Sequence, residues 1–271
     1  MSKGYKLEFL ISTMKRENDD FLQAMNISED VIIINQTEVD ETSKFKKDNQ
    51  VITSVSSTER GISKSRNRAI KESSADICII CDDDLIYKAD CQEKIKKAYE
   101  LIPEADIIVF CFESKKYKKK YPKKIKKINY LSSMRIHSIQ LTFKRESILE
   151  NNLFFDEAFG TGSAVYQQGE ENIFLFDCLK KGLNIYFVPQ FIVSVDDEAT
   201  SSWFKGYTEH YMRDKGAMFF RMAPKLYLLF ILQFSIRKYK RYHSYLNFFQ
   251  AIKWMLKGSE DYVERVKKQG S

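Results

Sequence analysis

The sequence predicts an α/β fold with a mostly parallel central sheet flanked by helices, extended at the C-terminus by further helices. Two patterns point to it. Over about the first hundred residues, short apolar runs alternate with polar, helix-like stretches, which is how successive βαβ units read. From Ala217 onward the chain carries aromatic and basic segments instead, among them Phe219-Phe220, Tyr227-Leu-Leu-Phe-Ile-Leu232 and Arg237-Lys-Tyr-Lys-Arg241. A chain of 271 residues that is 44% apolar and 14% aromatic buries one large core and is short for two generous domains.

The expected strands are residues 7–11, 31–35, 51–55, 77–81 and 107–112. Helices start near Asn18, Ser63 and Asp90, each able to cap exposed amides. Ser73-Ser74-Ala75-Asp76 is a short loop that makes the second helix and the next strand antiparallel neighbours. Residues 115–127 hold nine lysines with tyrosines and a proline, too charged and aperiodic to pack, so a solvated, mobile loop is expected. Its sharper reading is contact with an anionic acceptor or an anionic membrane surface. Residues 138–143 then read as a strand, a helix follows from about Arg145, and Gly160-Thr-Gly-Ser163 reads as a flexible turn. Gly169-Glu-Glu-Asn172 opens a helix over residues 173–181, closed by Gly182, and a strand over 183–188 stops at Pro189. The apolar run 226–236 is too short to cross a bilayer, which needs about 20 residues. It fits a helix lying on a membrane and a helix packed on the rest of the protein equally.

Charge and cysteine usage exclude some classes. The 44 Lys and Arg against 37 Asp and Glu give +7, a mild, locally concentrated excess that implies a basic patch and not a nucleic-acid binder. Five cysteines, Cys78, Cys81, Cys91, Cys111 and Cys178, follow an N-terminus without the apolar segment of a secretory signal. An odd number in that setting fits reduced thiols in a cytoplasm. Cys78 and Cys81 have the spacing of half a zinc site, but strand residues three apart face opposite ways.

The strongest chemical signal is Asp76-Ile-Cys-Ile-Ile-Cys-Asp82-Asp83-Asp84, a buried strand ending in three carboxylates. Ligands of open α/β sheets bind at the carboxyl ends of strands. Three adjacent like charges need a cation or hydrogen-bond donors, and hard oxygen ligands suit Mg2+ or Mn2+ held by one or two carboxylates with substrate phosphates. Capping of the following helix is the plainer reading, and that helix starts several residues too late for it. Upstream, Glu59-Arg60-Gly61-Ile62-Ser63-Lys64-Ser65-Arg66-Asn67-Arg68 joins a turn glycine and a hydroxyl cap to four cations. Helix amides with Arg and Lys make an anion site, so this segment reads as the other half of a nucleotide site.

Arg60-Gly-Ile-Ser-Lys-Ser-Arg-Asn67, followed by Ile-Ile-Cys-Asp82-Asp-Asp84 and later by Gly169-Glu170-Glu171, resembles the family 2 glycosyltransferases over residues from about 5 to 190. The resemblance implies the GT-A fold and an inverting transfer of a sugar from a nucleotide-sugar, a UDP-sugar favoured. It implies a catalytic domain over residues 1–215, its donor half about 1–112 and its acceptor half about 130–215, with a helical, aromatic and basic extension over 216–271. Ser12, Thr13 and Gln36 would line the nucleoside pocket. Arg60, Lys64, Arg66 and Asn67 would border base, ribose and diphosphate, with Asp83 also on the donor. Asp82 would face ribose or phosphate and join Asp84, the principal ligand of Mn2+ or Mg2+. Glu171 takes the position of the general base, where the family commonly has Glu-Asp and this chain has Glu-Glu, so Glu170 stands as the alternative. Burial beside Phe174 and Phe176 would raise the pKa of that carboxylate, and the helix N-terminus would oppose the rise.

Enzymes of this fold often close a loop over the donor after the last strand. Asp196, Asp197, Trp203, Tyr207, His210, Tyr211, Arg213, Lys215 and Gly216 fall there, the aromatics as stacking partners for an acceptor sugar or as core, the cations toward the diphosphate. The expected acceptor is a growing cell-surface polysaccharide or oligosaccharide carried on a lipid at the inner face of the membrane. A sugar nucleotidyltransferase would need the same metal and cations, but with a glycine-rich loop after the first strand, which Ser12-Thr-Met-Lys-Arg16 lacks. A non-catalytic scaffold would have no use for the intact acids.

Overall fold

The computed structural model describes residues 4–47, 49–116, 119–195, 204 and 206–269. In chain order the first half comprises β1 (Leu7–Met14), α1 (Phe21–Met25), β2 (Asp30–Gln36), β3 (Glu41–Lys47), β4 (Gln50–Ser57), α2 (Ile62–Glu72), β5 (Ile77–Asp82), β6 (Leu85–Tyr87), α3 (Cys91–Leu101) and β7 (Ile107–Glu113). The second half comprises β8 (Lys126–Lys127), α4 (Tyr130–Ser133), β9 (Leu141–Lys144), α5 (Arg145–Glu150), α6 (Glu170–Lys180), β10 (Ile185–Val195), α7 (Glu209–Met222), α8 (Tyr227–Tyr242) and α9 (Phe248–Gln269).

Among the described residues the strands form one ten-stranded sheet in the order β3-β4-β2-β1-β5-β9-β7-β10-β6, with β8 beside β10. Its heart, β4-β2-β1-β5, is parallel, because apolar runs such as Leu7–Ile11 and Ile77–Cys81 are buried on both faces beneath helices. Alternate residues feed two cores. Phe9, Ile11, Ile79 and Cys81 enter one, while Leu10, Cys78 and Ile80 enter the other. Cys78 and Cys81 are therefore on opposite faces, and all five cysteines are buried free thiols.

Several expectations need correction. β3 was not expected, because Glu41–Lys47 is exposed throughout and has no apolar stripe; it pairs antiparallel with β4, and its lysines blunt the sheet edge. Residues 138–140 are a 3-10 turn and only Leu141–Lys144 is strand. Pro189 does not end β10, which passes it through register shifts between Phe187 and Phe191, the kind of irregularity that accommodates a proline. The lysine segment is not wholly solvated. Lys119 Nζ donates to the Arg135 carbonyl and to Gln140 Oε1, both at 2.7 Å, and burial against Phe112 and Tyr121 lowers its pKa to about 8.

A third apolar cluster joins Phe159, Tyr166, Ile173 and Phe176 to Met212, Met218, Phe219 and Met222 of α7, Phe230 and Ile231 of α8, and Ala251 and Met255 of α9. The C-terminal helices thus share a core with the residues around α6. Arg221 of α7 adds ion pairs to Asp156 at 2.7 Å and to Asp177 of α6 at 2.8 Å. Among the described residues no helix is long and apolar enough to cross a membrane.

Candidate active site

The carboxyl ends of β1, β2, β4 and β5 meet at one edge, where Ser12 lies opposite Asp82, Met14 opposite Gln36, and Gln36 opposite Ser57. The chain turns after Asp82 into β6, which sets Asp82, Asp83 and Asp84 on a short turn. Their surroundings differ. Asp83 accepts from Thr13 Oγ1 at 2.6 Å and from Arg16 Nε at 2.9 Å, so its charge is held by the protein. Asp82 is about one-third exposed and Asp84 is exposed.

Arg66 is the centre of the arrangement. It projects from α2 with only 2% of its surface exposed. Its Nη1 donates to Glu170 Oε1 at 3.0 Å, and its Nη2 to Asp82 Oδ1 at 3.2 Å and to Ser138 Oγ at 3.0 Å. Its Nε, although buried, has no hydrogen-bond partner among the described residues. Burial opposes a charge there, and Asp82 and Glu170 more than offset it, leaving the guanidinium pKa raised. One side chain therefore ties the acidic turn to the start of α6.

At that start, Gly169 adopts a left-handed conformation (φ 98°) in which a side chain would collide with Met218. The turn delivers Glu170 inward to Arg66 and leaves Glu171 beside it. Burial, and after it the charge of Glu170, push Glu171 up to about 8, while Lys215 and Arg66 pull the other way. Lys215, partly buried on α7, has its pKa lowered by desolvation, against which the charges of Glu171, Glu170 and Asp214 act. Its ammonium lies 5.7 Å from the Tyr211 ring centroid. The carboxyl of Glu171 and the amine of Lys215 are thus a mutually dependent pair.

The segment expected to border the nucleotide separates into different uses. Gln36 Oε1 accepts from the Gly61 amide at 2.8 Å, and Ser12 Oγ accepts from Ser65 Oγ at 2.8 Å, which locks α2 onto β1 and β2. Arg60 donates to the carbonyls of Thr37, Ser57 and Thr58 and to Glu38, stapling the ends of β2 and β4. Lys64 sits at the rim, 3.5 Å from Glu59. Asn67 turns to Phe155, exchanging bonds with its backbone at 2.8 and 2.9 Å, and to Glu157 at 3.0 Å. Residues 159–163 are not a loose turn. The Ile62 amide donates to the Thr161 carbonyl at 2.9 Å and Ser63 Oγ to the Phe159 carbonyl at 2.6 Å, and a Cβ on Gly160 would lie 2.7 Å from Ile62. The first amide of α2 is occupied by protein, which removes it from the anion site expected there.

Ser12, Thr13, Gln36, Arg66, Asp82 and Asp83 are thus brought together, Arg60 and Lys64 lie at the margin, and Asn67 fastens a neighbouring segment. Arg16 and Ser138 were missed; Arg16 stood in the segment noted only for lacking glycine, and nothing near Ser138 marks it. Of the later residues, Arg213 is engaged with Asp261 at 2.6 Å, His210 is mostly exposed at 3.5 Å from Asp214, and Asp196, Asp197 and Trp203 lie outside the described residues. Tyr207 and Tyr211 stand edge to face with centroids 5.2 Å apart, each also against Phe204. Among the described residues no three His, Cys, Asp or Glu gather into a metal cage. A pair of hard oxygen donors, Asp82 and Asp84, fits a cation completed by phosphate oxygens and water, and fits poorly a cation held by protein alone.

Residues 22–164 match the family described as Glycosyl transferase family 2. A search of curated proteins finds no match. The fold is similar to that of S. aureus TarS 1-349 in complex with UDP-GlcNAc (TM-score 0.59, 13% identity, 98% of this chain and 92% of that one covered). The same TarS segment in complex with UDP superimposes with a TM-score of 0.56 at 14% identity and the same coverage. The mannosyltransferase PcManGT from Pyrobaculum calidifontis, in complex with GDP-Man and Mn2+, gives a TM-score of 0.50 at 12% identity, covering 100% of this chain and 77% of that one.

Proposed function

This chain belongs to glycosyl transferase family 2, and we propose that it moves a sugar, with inversion, from a UDP-sugar to a hydroxyl of a growing, lipid-linked cell-surface polysaccharide or oligosaccharide in the cytoplasm. The observation that carries this reading is the Arg66 bridge. A single guanidinium holds Asp82, at the donor edge of the sheet, and Glu170, at the head of α6, where Glu171 is the next residue of the chain. Nucleotide-sugars in the TarS and PcManGT structures support the donor class, and the higher similarity to TarS favours UDP.

The residues divide the work. Ser12, Thr13 and Gln36 shape the nucleoside side, and Asp82 faces the ribose or phosphate, with Arg60 and Lys64 as cations at the rim. Asp84 and Asp82 would hold a divalent cation, Mn2+ or Mg2+, together with donor phosphates, and when bound it would supply charge stabilisation for the departing diphosphate. Glu170 is neutralised by Arg66, which leaves Glu171 as the base. Its raised pKa suits removal of the acceptor proton as the acceptor oxygen bonds to the anomeric carbon and the bond to the diphosphate breaks.

Thermal unfolding with Mn2+ and UDP-, GDP- or dTDP-sugars tests the donor, since a ligand at a hundred times its Kd adds about 2.7 kcal/mol of stability. Asp84→Ala is expected to remove metal-dependent protection, and Glu171→Gln to keep protection while losing transfer. Equal loss of donor binding in both variants refutes the division of roles.

A further inference from the structure

Helix α8 is apolar on two faces. Phe230, Ile231, Ser235 and Tyr242 are buried against the protein. Leu228, Leu229, Leu232, Ile236 and Tyr239 follow one another at intervals that place them on a second face, which is exposed to the extent of 59% at Leu229 and 61% at Ile236. Phe249, at the start of α9, is 79% exposed. A contiguous apolar surface of this kind marks an interaction site.

The charge around it identifies the occupant. Residues 215–259 contain nine Lys and Arg and no Asp or Glu. Lys225, Arg237, Lys240 and Arg241 are exposed, Lys225 just ahead of α8 and the other three on the helix itself. A second copy laid on this face by a two-fold axis would bring cations against cations with no acid within the segment to answer them. An apolar stripe edged by cations is the surface of a helix that lies in a lipid interface and meets anionic headgroups. At 16 residues, α8 spans about 24 Å, enough to lie along a membrane surface and too short to cross it.

We infer that the outer face of α8, with Phe249, docks on an anionic lipid bilayer. The face also leads toward the proposed base. Tyr239 contacts Tyr242 (centroids 5.6 Å apart), Tyr242 contacts Tyr207 (6.0 Å) and Tyr207 contacts Tyr211 (5.2 Å). The Tyr211 carbonyl accepts from Gln168, just ahead of α6. Under the lipid-linked acceptor proposed above, this aromatic run connects the bilayer with the reacting hydroxyl. Docking itself depends only on α8 and Phe249, so vesicle binding and sugar transfer can fail separately.

Flotation of the full chain with vesicles tests the docking. The chain is expected to float with vesicles of equal parts phosphatidylglycerol and phosphatidylcholine and to stay in solution with phosphatidylcholine alone. Leu232→Glu combined with Ile236→Glu, and separately Arg237→Gln combined with Lys240→Gln, are each expected to weaken binding at least about tenfold. These side chains are exposed, and an unchanged thermal midpoint shows that the fold is kept. Leu232→Trp gives a second reading, because brominated lipids quench a tryptophan lodged in the bilayer. No flotation at low salt, an unquenched tryptophan, or glutamate variants that float like the parent would each overturn the inference. So would dimerisation in sedimentation that the glutamates abolish in a chain that ignores vesicles.

Discussion

At position 66 a guanidinium sits almost out of reach of water, between a carboxylate of the acidic turn and one of α6. A buried charge is tolerated only when it is paired and hydrogen-bonded, and removing one partner of such a set costs about 3–5 kcal/mol. Glu170 is therefore fixed as a counter-ion, and its neighbour Glu171 feels both that fixed charge and the burial of the site. The proposed base must lose its proton to work, so transfer should fall as pH drops below about 8 and recover as pH rises, with an apparent pKa far above the ordinary carboxylate value. Lys215 pulls Glu171 downward, so Lys215→Met should move the rising limb of kcat/KM to higher pH and lower the rate near neutrality. A limb unmoved by that substitution, measured with saturating Mn2+, would remove Glu171 from the role of base. The two adjacent glutamates could not be told apart in sequence, because what separates them is Arg66, whose bond to Glu170 spans 104 positions.

Elements were legible where their burial was regular. The inner strands read directly from apolar runs, because parallel strands covered on both faces tolerate little else. β3 was not, since Glu41–Lys47 is wholly exposed and its pairing comes from β4 rather than from its own composition. Glycines were the most misleading signal. Gly160 read as freedom and marks close approach to α2. Gly216 fell in the segment read as closing over the donor; in the fold it lies where α7 crosses α9, and a Cβ there would overlap the Met255 carbonyl, as one on Gly258 would overlap the Arg213 carbonyl. Ser259 Oγ bonds to the Gly216 carbonyl at 3.0 Å across the same crossing. Helix propensity alone has Gly216→Ala stabilise by about 1 kcal/mol. The crossing reverses the sign, because the helices must separate, and a loss of about 1–3 kcal/mol is expected. Urea unfolding of Gly216→Ala decides between them by sign.

For the whole molecule, the question is whether the aromatic and basic C-terminus is an appendage or part of the folded unit. The sequence placed its start at residue 216, where composition changes; α7 runs unbroken from Glu209 to Met222 through that point. Met218, Phe219 and Met222 enter the same core as Ile173 and Phe176 of α6, the helix that presents Glu170 and Glu171, and Met218 packs against the position where Gly169 turns the chain. Arg221 answers Asp156 and Asp177. We propose that α7 to α9 are required to hold the head of α6. A chain ended after residue 215 would cut α7, expose this apolar cluster and remove Arg221 from Asp156 and Asp177, so it should be recovered aggregated or unfolded. A chain ended after Met222 keeps α7 and Arg221 but uncovers the surface that α8 and α9 bury, and should unfold at a distinctly lower temperature and lose protection by donor and Mn2+. A soluble 1–215 fragment that binds the donor as the full chain does would show instead that the C-terminal helices are an independent attachment. Circular dichroism with thermal melts in the presence of the donor distinguishes the outcomes, because only an intact α6 couples folding to the site.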